Sequence, residues 1–123
     1  MAAGRVGLSF DDVADLSMRM PEVEQQAHFD QPAYRVRGKI LVTLRHDADG
    51  TPVAVLKPPL DEIHAATAAD PSTYSLASSG WLMVRLPTAD RDVVWELLAE
   101  AWLRIASKRL AAQHRDTIGP PRT

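Results

Sequence analysis

A chain of 123 residues, with 46% hydrophobic and 24% charged side chains, fits a single globular core and excludes both a disordered polyelectrolyte and two independent domains. The absence of cysteine excludes disulfide staples, thiolate nucleophiles and sulfur-ligated metal sites. The net charge of −2 conceals alternating blocks of −4 (residues 1–32), +3 (33–57), −5 (58–101) and +4 (102–123), histidines neutral, so only a local basic patch points to nucleic acid.

The first predicted element opens at Ser9. With Asp12 three residues on, Ser9 forms a capping box, and Leu8 and Val13 occupy the positions of a hydrophobic staple. Phe10, Val13 and Leu16 then carry a helix over residues 10–19, which Pro21 stops.

From Gln26 to Leu44 the apolar period falls to two, with Tyr34 and Val36 on one face and Arg35 and Arg37 on the other. Arg37-Gly38-Lys39 is read as a hairpin turn and Ile40 to Leu44 as the return strand. A second turn, Asp47-Ala48-Asp49-Gly50, leads to a third strand, Pro52 to Lys57, which completes a meander.

Pro58-Pro59 starts a second helix with Leu60, Ile63 and Thr67 expected on its buried side, and Asp70-Pro71 ends it. A polar loop of serines precedes the last clear strand, Trp81 to Leu86. One long helix is expected from Ala89 to Ala112. Its apolar stripe is Val94, Leu98, Ala101, Trp102 and Ile105, with Trp95 beside it, and Asp90 and Asp92 lead while Lys108 and Arg109 trail, as the helix dipole favours. The whole is read as one domain over residues 1–123, with 1–7 and 114–123 as loose tails.

Pro32-Ala33-Tyr34-Arg35-Val36-Arg37-Gly38-Lys39-Ile40-Leu41-Val42-Thr43-Leu44, preceded by Met20-Pro21-Glu22-Val23, resembles the MmcQ/YjbR family. Val55-Leu56-Lys57, Trp81 to Leu86, Ala101-Trp102 and Ser107-Lys108-Arg109-Leu110 look like that family's later blocks, so the likeness spans roughly residues 9–112. The resemblance implies a CyaY-like fold: α+β, two-layered, an antiparallel sheet packed on one face by helices. It also implies a bacterial-type protein of a family commonly described as DNA-binding through a proposed double-wing surface, with no shared catalytic motif. Phe29-Asp30-Gln31-Pro32 departs from the family's tyrosine-glycine step before the proline.

Strand parity places Arg35 and Arg37 away from the helices. Arg45, Lys57 and Arg85 on adjacent strands, with Trp81 at the parity of Arg85, are candidates for the same face, offering cations for phosphate and an indole for stacking. The competing account is a solvated sheet face, which is charged in any case. A CyaY-like fold also invites comparison with frataxin's acidic iron-binding helix. Asp11, Asp12, Asp15, Glu22 and Glu24 are acidic here, and Asp11 and Asp15, one turn apart, form a weak alternative metal site, although the helix dipole alone accounts for acids at a helix start.

His28, His46, His64 and His114 have no metal-ligand spacing, and His64 beside Asp61 and Glu62 is read as a solvent-facing residue rather than a base. Ser78-Ser79-Gly80 precedes a strand, the wrong context for a nucleophile elbow, and the six glycines form no phosphate-binding loop. Trp95 and Trp102 are assigned to the core. No stretch approaches the ~18 apolar residues of a membrane span, and the opening residues lack the apolar region of a secretion signal, so a cytoplasmic location without membrane contact is expected. The expected function is a non-catalytic, cofactor-free binding domain that contacts nucleic acid. The alternatives are a small-molecule or protein-interaction module using a cleft between sheet and helices, then a weak metal binder.

Overall fold

The computed structural model describes residues 7–26 and 31–118, with residues 114–118 described by their backbone only. Among the described residues six antiparallel strands and four α-helices make an α+β fold, in the chain order α1 (Phe10–Met18), β1 (Val23–Gln25), β2 (Ala33–Val36), β3 (Lys39–His46), β4 (Pro52–Leu56), α2 (Leu60–Ala69), β5 (Tyr74–Leu76), β6 (Leu82–Arg85), α3 (Arg91–Ile105) and α4 (Lys108–Ile118). The strands lie in the order β1-β2-β3-β4-β6-β5. The meander β1 to β4 is laid down in sequence. The chain then passes through α2 to the far edge, and the β5–β6 hairpin returns β6 to a place beside β4.

The capping box forms as its residues dictate: the Ser9 hydroxyl accepts from Asp12 N–H at 3.1 Å, and the Asp12 carboxylate accepts from Ser9 N–H at 2.8 Å. The buried side chains of α1, α2 and α3 cluster with Tyr34, Val36, Val42, Leu44, Ala54, Leu56, Leu82 and Val84, so the helices cover one face of the sheet. A bulge in β3 pairs Tyr34 with Val42 but Arg35 with Ile40, and the residue it adds, Leu41, is buried with Val42 in the core. Trp102 is fully buried and donates its indole N–H to the Pro21 carbonyl at 2.9 Å, tying α3 to the end of α1.

Five sequence expectations need correction. The long terminal helix is two helices: Ala106 turns extended, with ψ 148°, and the Ser107 hydroxyl accepts from Leu110 N–H at the start of α4. Lys108 and Arg109 therefore stand in the first turn of α4, where the dipole disfavours them, rather than in a last turn. Two three-residue edge strands, β1 and β5, were not expected. Leu60 is 56% exposed, and Ile63 with Ala66 forms the buried side of α2. Finally, Gly7 is tied to Ala89 by a backbone hydrogen bond, and α4 runs to Ile118, so neither assigned tail is wholly loose. His28, Phe29, Asp30 and the outer parts of both tails lie outside the described residues.

Candidate nucleic-acid interface

The face away from the helices is built by the register of the strands. Arg45 pairs with Val53, which pairs with Arg85; Thr43 pairs with Val55, which pairs with Met83. Directly paired residues point to the same side, so these six, with Arg35 opposite Ile40, occupy the open face. Val53 and Val55 are buried but stand apart from the core cluster. For Val53 the flanking residues explain this, since the aliphatic stems of Arg45 and Arg85 lie on either side of it.

The structure brings Arg35, Arg45, Lys57, Trp81 and Arg85 to this face and leaves Arg37 out. Arg37 and Gly38 are the two loop residues of the β2–β3 hairpin, with φ of 49° and 85°, so the alternation of β2 ends at Val36. Arg37 pairs with Glu22 at 3.4 Å and lines a polar pocket of about 230 Å³ with Ser107, Arg109, Leu110 and Gln113. It belongs to the edge beside α4.

The remaining cations are not equivalent. Arg85 is committed to the β3–β4 turn: it meets Asp47 at 2.7 Å, Asp49 at 3.3 Å and the Thr51 hydroxyl at 3.1 Å. The Asp47 side chain, then Thr51 and Arg85, hold the Asp49 carboxyl well below the usual carboxylate range. Arg35 donates to the Gly38 carbonyl at 2.8 Å and faces Glu24 across the β1–β2 pair. Lys57 places its ammonium 5.8 Å from the centroid of the Trp81 ring. Among the described residues no carboxylate pairs with Lys57 or Arg45, and the Arg45 Nε is buried without a hydrogen-bond partner. Leaving such a donor unsatisfied costs ~1–3 kcal/mol.

Arg45 and Trp81 line one concavity of about 390 Å³, with Gln31, Ile40, Thr43, Val55 and Ser79 as its other walls. Sequence reasoning missed those five residues. Parity alone would have put Thr43 and Val55 on this face, but nothing in their residue types marks a cavity. Between sheet and helices, where the alternative reading expected a cleft, core side chains such as Leu16, Leu82, Leu98 and Trp102 are buried. A smaller groove of about 200 Å³ lies between α2 and α3, lined by Ala65, Ala66, Ala69, Val93 and Leu97 and flanked by Glu62 and Glu96.

The acidic start of the chain is engaged structurally. Asp12 closes the capping box, and Asp15 pairs with Arg19 at 2.9 Å and Arg91 at 3.6 Å. Among the described residues no group of three His, Asp or Glu side chains is placed to hold a metal ion. His46 stacks edgewise on Phe10 with ring centroids 5.2 Å apart, and His64 is exposed on α2. Among the described residues no helix is long and apolar enough to cross a membrane.

No curated protein matches the chain. Among solved structures, a Deinococcus radiodurans protein, DR2400, whose domain is described as DUF419, superposes with a TM-score of 0.67 at 18% identity, covering 92% of this chain and 89% of that one. That likeness shows a shared fold. The family model described as YjbR matches residues 18–104, from the end of α1 to the last turn of α3, and the chain belongs to the YjbR family.

Proposed function

We propose that the chain is a non-catalytic nucleic-acid-binding domain that takes a single strand on the open face of its sheet. One observation carries this reading: Trp81, with Lys57 against its ring, and Arg45, with no carboxylate partner among the described residues, line or border the same concavity on the sheet face away from the helices. An indole stacks on any unpaired base, and cations beside it meet the phosphates on either side.

The charge census favours a single strand over a duplex. Arg85 is neutralised by two carboxylates and Arg37 lies on another edge, so the face does not present the six to ten phosphate contacts of a strong duplex-tracking surface. Stacking also requires a base free of its partner.

Fluorescence anisotropy with labelled single- and double-stranded DNA tests this. Tighter binding to the single strand is expected, with log affinity falling against log salt at a slope of about −1.4, roughly 0.7 for each of two phosphates. Arg45→Gln with Lys57→Gln removes the binding, and Arg37→Ala leaves it in place. Preference for duplex, or indifference to salt and to the double substitution, contradicts the reading.

A further inference from the structure

The concavity on the open face is polarised. Its floor is the cross-strand pair Thr43–Val55. Arg45 stands two residues along β3 from Thr43, about 7 Å by strand geometry, with Gln31 among the same lining residues. Trp81 and Ser79 come from the hairpin that enters β6, on the other side of β4, and Lys57 backs the Trp81 ring. One flank thus offers a guanidinium with no carboxylate partner among the described residues, and the other a flat aromatic surface. The side-chain amide of Gln31 and the hydroxyls of Thr43 and Ser79 lie among the walls. A volume of about 390 Å³ is at the small end of the ~300–1,000 Å³ typical of small-ligand sites.

We propose that this cavity is a subsite for one nucleotide unit, its base against Trp81 and its phosphate on Arg45. The proposal rests on the nucleic-acid reading above and narrows it. The Arg45 guanidinium, which meets no carboxylate among the described residues, binds a phosphate oxygen, and the phosphate is what distinguishes a bound nucleotide from a bound nucleoside. The polar walls address the edges of the base, and the limited volume admits one unit, not a base pair.

The test uses the full chain and three probes: adenosine, adenosine monophosphate and a short single-stranded oligonucleotide, followed by chemical-shift titration of the tryptophan indole N–H signals. Adenosine monophosphate is expected to shift the Trp81 signal with a Kd of order ~1 mM, and adenosine about tenfold more weakly. Arg45→Gln reduces the monophosphate to the affinity of adenosine. Arg45→Lys, which keeps the charge and loses the planar guanidinium fork, recovers only part of it, and thermal melts of both variants confirm that they fold. Equal binding of adenosine and its monophosphate, or no effect of Arg45→Gln, overturns the proposal. If the oligonucleotide binds with salt sensitivity while the monophosphate moves no signal, the subsite is wrong and the sheet-face reading stands. If the monophosphate binds and no oligonucleotide does, the subsite stands and the sheet-face reading falls.

Discussion

The Lys57 ammonium lies 5.8 Å from the centroid of the Trp81 ring, joining the end of β4 to the start of β6 across the open face of the sheet. The contact puts a phosphate-seeking charge beside a stacking surface. It sits on the rim of the sheet with both residues half-buried and contributes little to folding, ~0.5–1 kcal/mol. Lys57→Gln is therefore expected to leave the melting temperature nearly unchanged, to weaken single-strand binding, and to reduce the salt slope by about 0.7, the share of one phosphate. An unchanged slope in an anisotropy titration would mean that Lys57 meets no phosphate.

Arg85 is expected to behave in the opposite way. Its guanidinium clamps the β3–β4 turn through Asp47, whose side chain is only 14% exposed, and through Asp49 and Thr51. Arg85→Gln should cost ~1 kcal/mol of stability and change nucleic-acid affinity less than Arg45→Gln does. Denaturant unfolding and binding measured on the same samples separate the two effects. A large binding loss without a stability loss would make Arg85 a contact residue.

Arg37 and its ion-pair partner Glu22 are both non-glycine residues at positive φ, 49° and 62°. Arg37 occupies the first position of a two-residue hairpin loop that favours Asn or Gly there. Arg37→Gly is expected to be ~1 kcal/mol more stable than Arg37→Ala, because both lose the exposed ion pair and only alanine keeps the left-handed strain. Thermal melts of the two variants check this, and equal stability would place the strain elsewhere.

Glu100 supplies a pH test. Burial first, and then the charges of Glu62, Asp61 and Glu96, raise its pKa above the ordinary glutamate value. A raised folded-state pKa means that the folded protein binds this proton more tightly than the unfolded chain. The contribution to stability is complete below the unfolded value of about 4.3 and is lost as pH rises through the folded value. Glu100→Gln should therefore stabilise the protein by ~0.3 kcal/mol at about pH 7, the scale of a like-charge pair one helical turn apart, and by nothing near pH 4. A gain of the same size at both pH values would rule out titration of Glu100 as its cause.

Much of the fold was legible because its signals are local. The Ser9–Asp12 capping box, the Arg37-Gly38-Lys39 turn and the period-two strands are each written within a few residues, and parity along those strands placed Arg35, Arg45, Lys57, Trp81 and Arg85 on one face, while wrongly adding Arg37, which the turn carries to another edge. What escaped is non-local or too short to show a period. β1 and β5 have three residues each, and their strand state follows from pairing with β2 and β6. The apolar stripe of α3 leads on toward Leu110 through Ala106, hiding a break that Ser107 marks as a helix cap. The neutralisation of Arg85 by Asp47 spans 38 residues, and the Nε of Arg45, without a hydrogen-bond partner among the described residues, depends on what the fold brings near it.

Nucleic acid bound on the open sheet face, as proposed, would leave its footprint on the signals of that face. Backbone and indole amide signals followed during titration with a single-stranded oligonucleotide should shift at Trp81, Lys57, Arg45 and Thr43, while the buried indoles of Trp95 and Trp102 stay in place. Shifts gathered instead along α2 and α3 around Ala65 and Leu97, or at the Arg37–Arg109 edge, would contradict the assignment of the sheet face.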